Sequence, residues 1–299
     1  MKNTLVYIAL TLSTIFWGIS FVMTKELFIT EPNITVTILI TLRLLVATCI
    51  MVPSLLLMGR MEPIRKGDFK WFLCLSLAEP FVYNLFETTG VQMVSGSLSA
   101  IIVALIPVFV PFLMHFAYHD KLHSNHLIGV VLSLGGVGIM LLGGEERLSG
   151  SLAGILCLFG AVFTALVYTL FLVKVVDHYR PITITTYQNI FGVIFYLPLM
   201  FGTSGTQVFS LSWSPKMLLL IGMLGFLCST LAYAFYNVGV KYIRPSRACI
   251  FNNAIPVFTM IVAIIIGQES LSWVKAAGMD WRYIDGEAES LGMGQFAKQ

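Results

Sequence analysis

The sequence predicts an all-α polytopic membrane protein, an inverted-repeat helical bundle built on a five-plus-five pattern with nine spans present. Three observations carry this reading. Of the 299 residues, 57% are hydrophobic and 11% are charged, against roughly 25% charged in an average soluble domain. Apolar stretches of membrane-spanning length recur along the chain. The second half also repeats the first at a fixed offset. A single apolar run can satisfy its backbone in lipid only as a helix, and a barrel would show short alternating segments instead. The composition excludes an ordinary cytosolic enzyme and a disordered chain. The formal charge of +3 is too small and too scattered for a nucleic-acid partner.

A helix crossing the hydrocarbon core needs about 20 mostly apolar residues. Nine stretches qualify: 5–24, 35–58, 70–90, 97–117, 127–143, 152–175, 185–201, 217–239 and 246–266. The first is too long for a secretory signal and has no small-residue cleavage site, so it reads as a retained helix ending at the polar pair Lys25-Glu26. Cys49, Cys74, Cys157, Cys228 and Cys249 all sit in apolar stretches, without zinc-type spacing, and read as packing residues. With the N-terminus in the cytoplasm, the inner loops hold Lys2, Arg60, Arg65, Lys66, Lys70, Lys121, Lys174, Arg180, Lys241, Arg244 and Arg247. The outer loops hold only Lys25, Arg147, Lys216 and Lys275. This asymmetry predicts a multi-pass protein with a cytoplasmic N-terminus.

Displacing the chain by 149 residues reveals the repeat. Gly90-Val91 falls on Gly239-Val240, Ser97 on Ser246 and Ile101 on Ile250. Ile106-Pro107-Val108-Phe109 falls on Ile255-Pro256-Val257-Phe258, and Lys25 on Lys174. Further on, Asp120 meets Glu269, Leu122 meets Leu271 and Gly129 meets Gly278. A slightly shorter offset of 145 places Pro53 on Pro198 and Arg43 on Gln188. A unit of five helices is odd, so its second copy enters the membrane from the other side. The predicted organisation is a first repeat at 1–144, a second at 150–278 with four helices, and a polar tail at 279–299. The tail is too polar to span, which predicts that the tenth helix is missing. A frameshift or a premature end of the reading frame is the favoured explanation. The open face leaves room for a homodimer.

Ionisable groups within membrane helices are costly and therefore informative. Arg43 lies about 12 Å inside its helix at 1.5 Å per residue, between Glu79 and Glu87 in depth. It can bind a substrate carboxylate or pair with either glutamate, and a glutamate can exchange a proton. A static ion pair that fixes helix packing is the alternative. Trp17, Tyr83 and Asn84 in the first half, and Tyr168, Gln188, Asn189, Tyr233, Tyr236, Asn237, Asn252 and Asn253 in the second, supply rings and amides at similar depth. Together these residues are the candidate substrate site. Individually, the amides also suit interhelical bonding and the rings suit interface anchoring. Pro80, Pro107, Pro111 and Pro256 serve either as hinges or as fixed bends.

His115, His119, His123 and His126 are close in sequence. The second copy reads as a helix end and turn here, so His119 and His123 are expected in a loop facing the cytoplasm, without a metal site. The glycines of 135–144 are small packing residues, not a nucleotide loop. No catalytic motif or ATPase-sized soluble segment is present in the sequence. No cofactor is expected, and any transport would be secondary, driven by a gradient, unless a separate subunit supplies energy.

Phe16-Trp17-Gly18 with Ser20-Phe21, Arg43 in the second helix, and the proline-containing fourth and ninth helices resemble the EamA-type permeases of the drug/metabolite transporter superfamily. So do Tyr118-His119-Asp120-Lys121-Leu122 and Gly267-Gln268-Glu269-Ser270-Leu271, which follow those two helices. The resemblance covers 1–278. It implies a ten-helix inverted repeat in the cell inner membrane that moves small metabolites, amino acids among them, through a central cavity. Two rivals remain at this point. One is an intramembrane enzyme acting on a lipid-linked substrate. The other is a truncated permease that is inactive or needs a partner.

Overall fold

The computed structural model describes residues 3–119 and 151–268. The predicted span 127–143, the repeat matches beyond His119 and Gln268, His123 and His126, the glycines of 135–144, and the tail with its missing tenth helix lie outside the described residues.

The first unit contains α1 (Asn3–Thr30), α2 (Val36–Leu57), α3 (Phe69–Ser76), a π-helical segment (Leu77–Val82), α4 (Tyr83–Met93), α5 (Gly96–Val103) and α6 (Ile106–Tyr118). The second contains α7 (Leu152–Val175), α8 (Pro181–Ser204), α9 (Pro215–Met223), a π-helical segment (Leu224–Ala232), α10 (Tyr233–Ile243), α11 (Pro245–Ala248), a 3-10 segment (Cys249–Ala254) and α12 (Ile255–Ile266). Among the described residues, seven helices are long and apolar enough to cross a membrane. The stretch predicted at 70–90 is realised as α3, its π segment and α4, interrupted at the Glu79-Pro80 pair.

Local chemistry explains the boundaries. Thr35, Ser95 and Ser214 each accept the backbone N–H three residues on, which caps α2, α5 and α9. His119 and Gly267 take left-handed conformations that end α6 and α12. Proline stands at the start of both α6 and α12, where its missing N–H costs nothing, so the chain bends just before Pro107 and Pro256. One expectation needs correction: α1 runs through Lys25-Glu26 to Thr30. Both charges are satisfied inside the helix. Lys25 donates to the carbonyls of Val91, Gln92 and Val94 at 2.8–3.2 Å. Glu26 pairs with Lys216 and accepts from Gln268.

The two units recur in structure and point in opposite directions. Each has a π-helical break in its third spanning element and a bend before its Ile-Pro-Val-Phe helix. Lys25, near the end of α1, is bonded to the end of α4, so α1 and α3–α4 run the same way. Gly90, also at that end, packs on Gly154 and Leu158, which open α7. Hence α7 starts where α1 finishes, and the repeat-related helices are antiparallel. The other pairs agree. Thr35 and Thr37, which open α2, hydrogen-bond Ser204 at the end of α8 at 2.6 and 2.9 Å. Gly239, near the end of α10, packs on Leu10, near the start of α1. A Cβ on Gly90 would stand 2.5 Å from Leu158 Cγ, and one on Gly239 would overlap Leu10, so the same small-residue crossing is used twice.

The far end of the bundle is joined by a second polar group. The Tyr179 hydroxyl donates to Asp68 at 2.8 Å and accepts the Arg65 N–H at 3.0 Å. Burial raises the Tyr179 phenol above its ordinary pKa and keeps it a neutral donor. Arg180 pairs with Glu62 at 3.4 Å. Outward faces are apolar: Leu57 is 89% exposed and Phe116 78%. Arg43, Glu79, Gln188 and Asn237 are buried inside. Water would disfavour that distribution, and a bilayer favours it.

The repeat-related lysines are not equivalent. Among the described residues Lys174 makes no counterpart to the three carbonyl bonds of Lys25; it sits over the Tyr118 ring at 5.2 Å and the Trp71 ring at 6.0 Å. Such contacts are worth about 0.5–1 kcal/mol at exposed sites, less than charged hydrogen bonds. Lys25→Met is therefore expected to lower the thermal midpoint of the purified protein more than Lys174→Met. Equal shifts would show that the Lys25 bonds do not hold this end together.

Candidate functional site

A chamber with about 630 Å³ of unfilled space lies between the two units. It is lined from α1 by Trp17, Ser20 and Phe21, from α2 by Arg43, from the first π segment by Glu79, and from α4 by Tyr83, Asn84 and Glu87. Val103 and Ile106 complete the first half. The second half contributes Ala165, Tyr168 and Thr169 of α7, Tyr233 and Tyr236 of α10, Asn252 of the 3-10 segment and Ile255 of α12. A smaller side pocket of about 220 Å³ lies beyond Glu79, Asn84 and Tyr233, which line both spaces. Leu44, Pro80, Thr185, Gln188, Asn189 and Ser229 form its remaining walls.

Two broken helices build this centre. At Glu79 the backbone leaves helical geometry (φ −140°, ψ 120°), and the Glu79-Pro80 peptide is cis. A break inside a membrane frees carbonyls that need new donors. The neighbouring α8 supplies them: Gln188 Nε2 donates to the Glu79 carbonyl at 3.0 Å and the Tyr196 hydroxyl to the Phe81 carbonyl at 2.5 Å. The second break is treated similarly. Asn189 Nδ2 donates to the Ser229 carbonyl at 3.2 Å, and Arg43 Nε to the Ser229 hydroxyl at 2.9 Å. Arg43 and Gln188, matched in the sequence, thus each tie down the opposite unit's break.

This geometry corrects two expectations. Arg43 forms no ion pair with Glu79 or Glu87; its observed partner among the described residues is Ser229. An unbroken helix would set Glu87 roughly 80° around the axis from Glu79, and that relation also fails, because the chain between them is not one regular helix. Both nonetheless face the same chamber. Glu79 Oε1 accepts from the Tyr233 hydroxyl, while its buried Oε2 has no hydrogen-bond partner. Glu87 accepts no hydrogen bond from the described residues. Trp17 packs on Tyr233 and Tyr236 at ring separations of 5.0 and 5.2 Å, which makes an aromatic wall.

Of the sequence-predicted residues, Trp17, Arg43, Glu79, Tyr83, Asn84, Glu87, Tyr168, Tyr233, Tyr236 and Asn252 meet at the chamber. Gln188 instead faces the side pocket. Asn237 stands behind the wall: it accepts the Tyr168 hydroxyl at 3.2 Å and donates to Thr185 at 3.1 Å. Asn253 is exposed and lines neither space. Sequence reasoning passed over Ile106 and Ile255, which meet at the chamber as the first residues of the repeated Ile-Pro-Val-Phe run. It also passed over the small polar residues Ser20, Thr169, Thr185 and Ser229. The repeat marked the isoleucines, whereas isolated hydroxyl residues in apolar helices gave no distinguishing signal.

An apolar-faced helical bundle enclosing a charged chamber between inverted units defines a polytopic membrane transporter, which implies a bilayer and a small-molecule substrate. The chain belongs to the EamA-like transporter family, whose model matches residues 4–142 and 152–279, and so falls in the drug/metabolite transporter superfamily. An uncharacterized transporter of Archaeoglobus fulgidus is 24% identical over 272 residues, covering 91% of this chain and 94% of its own. The uncharacterized transporter YcxC of Bacillus subtilis is 27% identical over 285 residues, covering 93% and 90%. Another Bacillus subtilis relative, YetK, is 24% identical over 246 residues, covering 80% and 73%. A solved crystal structure superposes with a TM-score of 0.63 at 14% identity, covering 88% of this chain and 92% of that one, a likeness of fold alone. These relationships point to a transporter and not to an enzyme.

Proposed function

We propose that the protein is a secondary transporter of small polar or amphipathic metabolites, amino acids and related zwitterions among them, working by alternating access with proton exchange at Glu79 or Glu87. The observation that carries this reading is one guanidinium and two carboxylates gathered in a buried chamber between oppositely directed units. Such groups are expensive in hydrocarbon, and a buried charge set is weak as a packing device. Arg43 receives the substrate carboxylate. Glu87, which accepts no hydrogen bond from the described residues, receives the ammonium group, and Trp17, Tyr233 and Tyr236 flank its apolar part. The repeats, 1–144 and 150–278, rock between two near-equivalent packings. The concentration of loop cations supports a cytoplasmic N-terminus in the cell inner membrane. A homodimer is compatible with this reading.

Reconstitution in proteoliposomes tests the assignment. Labelled amino acids should enter under an imposed pH gradient. Arg43→Gln should raise KM for a zwitterion by about tenfold or more, about 1.4 kcal/mol in binding terms. Entry of a matched amine without a carboxylate should change much less. A zwitterion KM unaffected by Arg43→Gln would remove Arg43 from recognition, and failure of every amino acid to enter would overturn the substrate class.

A further inference from the structure

The side pocket contains a chemical imbalance that the metabolite site does not absorb. Glu79 is 2% exposed and Gln188 3%. Each leaves one buried oxygen, Glu79 Oε2 and Gln188 Oε1, without a hydrogen-bond partner among the described residues. Their other polar atoms are occupied: Glu79 Oε1 by the Tyr233 hydroxyl, and Gln188 Nε2 by the Glu79 carbonyl. Both residues line the same pocket, with the hydroxyl residues Thr185 and Ser229 and the Asn84 amide. Two unpartnered acceptors in a low-dielectric space are costly unless something electron-poor joins them.

Charge balance narrows what that is. The charged side chains lining the two spaces are Arg43, Glu79 and Glu87. Arg43 offsets one carboxylate, which leaves one negative charge for a proton or a cation to neutralise. A zwitterionic metabolite brings no net charge and leaves that deficit unchanged. An alkali cation brings one positive charge and is solvated by carboxylate, amide and hydroxyl oxygens, as hard cations are.

We propose that the side pocket is an alkali-cation site, with Glu79 Oε2 and Gln188 Oε1 as its principal ligands. It is separate from the metabolite chamber and shares with it the wall formed by Glu79, Asn84 and Tyr233. The site's role as a coupling site rests on the transport reading; its occupancy does not.

The test is equilibrium binding of radiolabelled Na⁺ to the purified full chain in detergent without metabolite. Parallel titrations use K⁺, and N-methylglucamine keeps ionic strength constant. The expected result is saturable uptake of one alkali cation per chain, with at least about a tenfold loss of affinity in Gln188→Leu. Gln188→Leu also removes the donor to the Glu79 carbonyl and can fail to fold. Gln188→Lys keeps a donor there and supplies its own positive charge, so the folded variant should bind no cation. Absence of saturable Na⁺ or K⁺ binding in the wild type, or wild-type affinity in the folded Lys variant, would overturn the proposal. Cation binding without metabolite flux would preserve this site and reject the transport reading. Flux without cation binding would do the reverse.

Discussion

Glu79→Gln is expected to reduce proton-gradient-driven flux by more than about a hundredfold, a barrier change of roughly 2.7 kcal/mol, while leaving a folded protein. Glutamine has nearly the same volume as glutamate. Its side-chain carbonyl can still accept the Tyr233 hydroxyl, which now bonds to Glu79 Oε1. The backbone carbonyl of residue 79 can still accept from Gln188. The substitution removes a negative charge and a protonatable oxygen from a position that is 2% exposed. Uptake into proteoliposomes under an imposed pH gradient measures the loss, and the thermal midpoint and gel-filtration profile establish folding. Undiminished flux would remove Glu79 from the mechanism. Loss of flux together with loss of folding would assign it a structural role.

The second large effect is expected at Gly225, which lies in the other helix break. A Cβ there would stand 2.7 Å from the Arg43 carbonyl oxygen and 2.7 Å from Val46 Cβ. Neither is the free end of a flexible side chain, so α2 itself would have to move. Overpacking of this kind costs about 1–3 kcal/mol, and Gly225→Val belongs at the upper end because backbone is in the way. The displaced segment carries Arg43, so substrate affinity should fall along with stability. Gly222 is nearby in α9 and has no atom within 4 Å of its would-be Cβ. Gly222→Ala should therefore be neutral or slightly stabilising, since alanine is better in a helix by up to about 1 kcal/mol. Thermal unfolding of both variants in detergent provides the comparison. Equal midpoints for Gly225→Val and the wild type would contradict the close approach of this segment to α2.

Much of the architecture was legible because a bilayer imposes simple constraints. Each spanning helix needs a long apolar run, and 152–175 matches Leu152–Val175 at both limits. Boundaries set by specific polar partners were harder to read. Lys25-Glu26 has the appearance of a loop, yet it remains helical because Val91, Gln92, Val94, Lys216 and Gln268 receive its charges from distant positions in the chain. Pro80 signalled a disturbance in the third span. The π-helical geometry, and the donors Gln188 and Tyr196 that satisfy its freed carbonyls, required knowledge of which helix lies alongside.

The candidate site divides in the same way. Charges and rings were conspicuous against an apolar background, so Arg43, Glu79, Glu87, Trp17 and Tyr233 could be named from composition and depth. Their pairings could not. Arg43 bonds to Ser229, a serine with no distinguishing sequence context, because the second π break brings that hydroxyl to the guanidinium. Asn237 and Asn253 illustrate the limit. Both are amides in the same part of the sequence as Tyr236, but one braces Tyr168 from behind and the other is exposed.

By itself, the sequence determined that this is a helical membrane protein made of two related units, because hydropathy and an offset of 149 are properties of the chain. It also singled out Arg43 and Glu79 as ionisable groups inside apolar helices, and both are buried. The tertiary structure decided which groups meet, which oxygens are left without partners, and where a second pocket opens behind Glu79. Those outcomes depend on contacts between residues far apart in sequence, such as Arg43 with Ser229 and Glu79 with Gln188. A periodic pattern specifies the face a helix buries, but the partner across that face is set by the packing of the whole bundle.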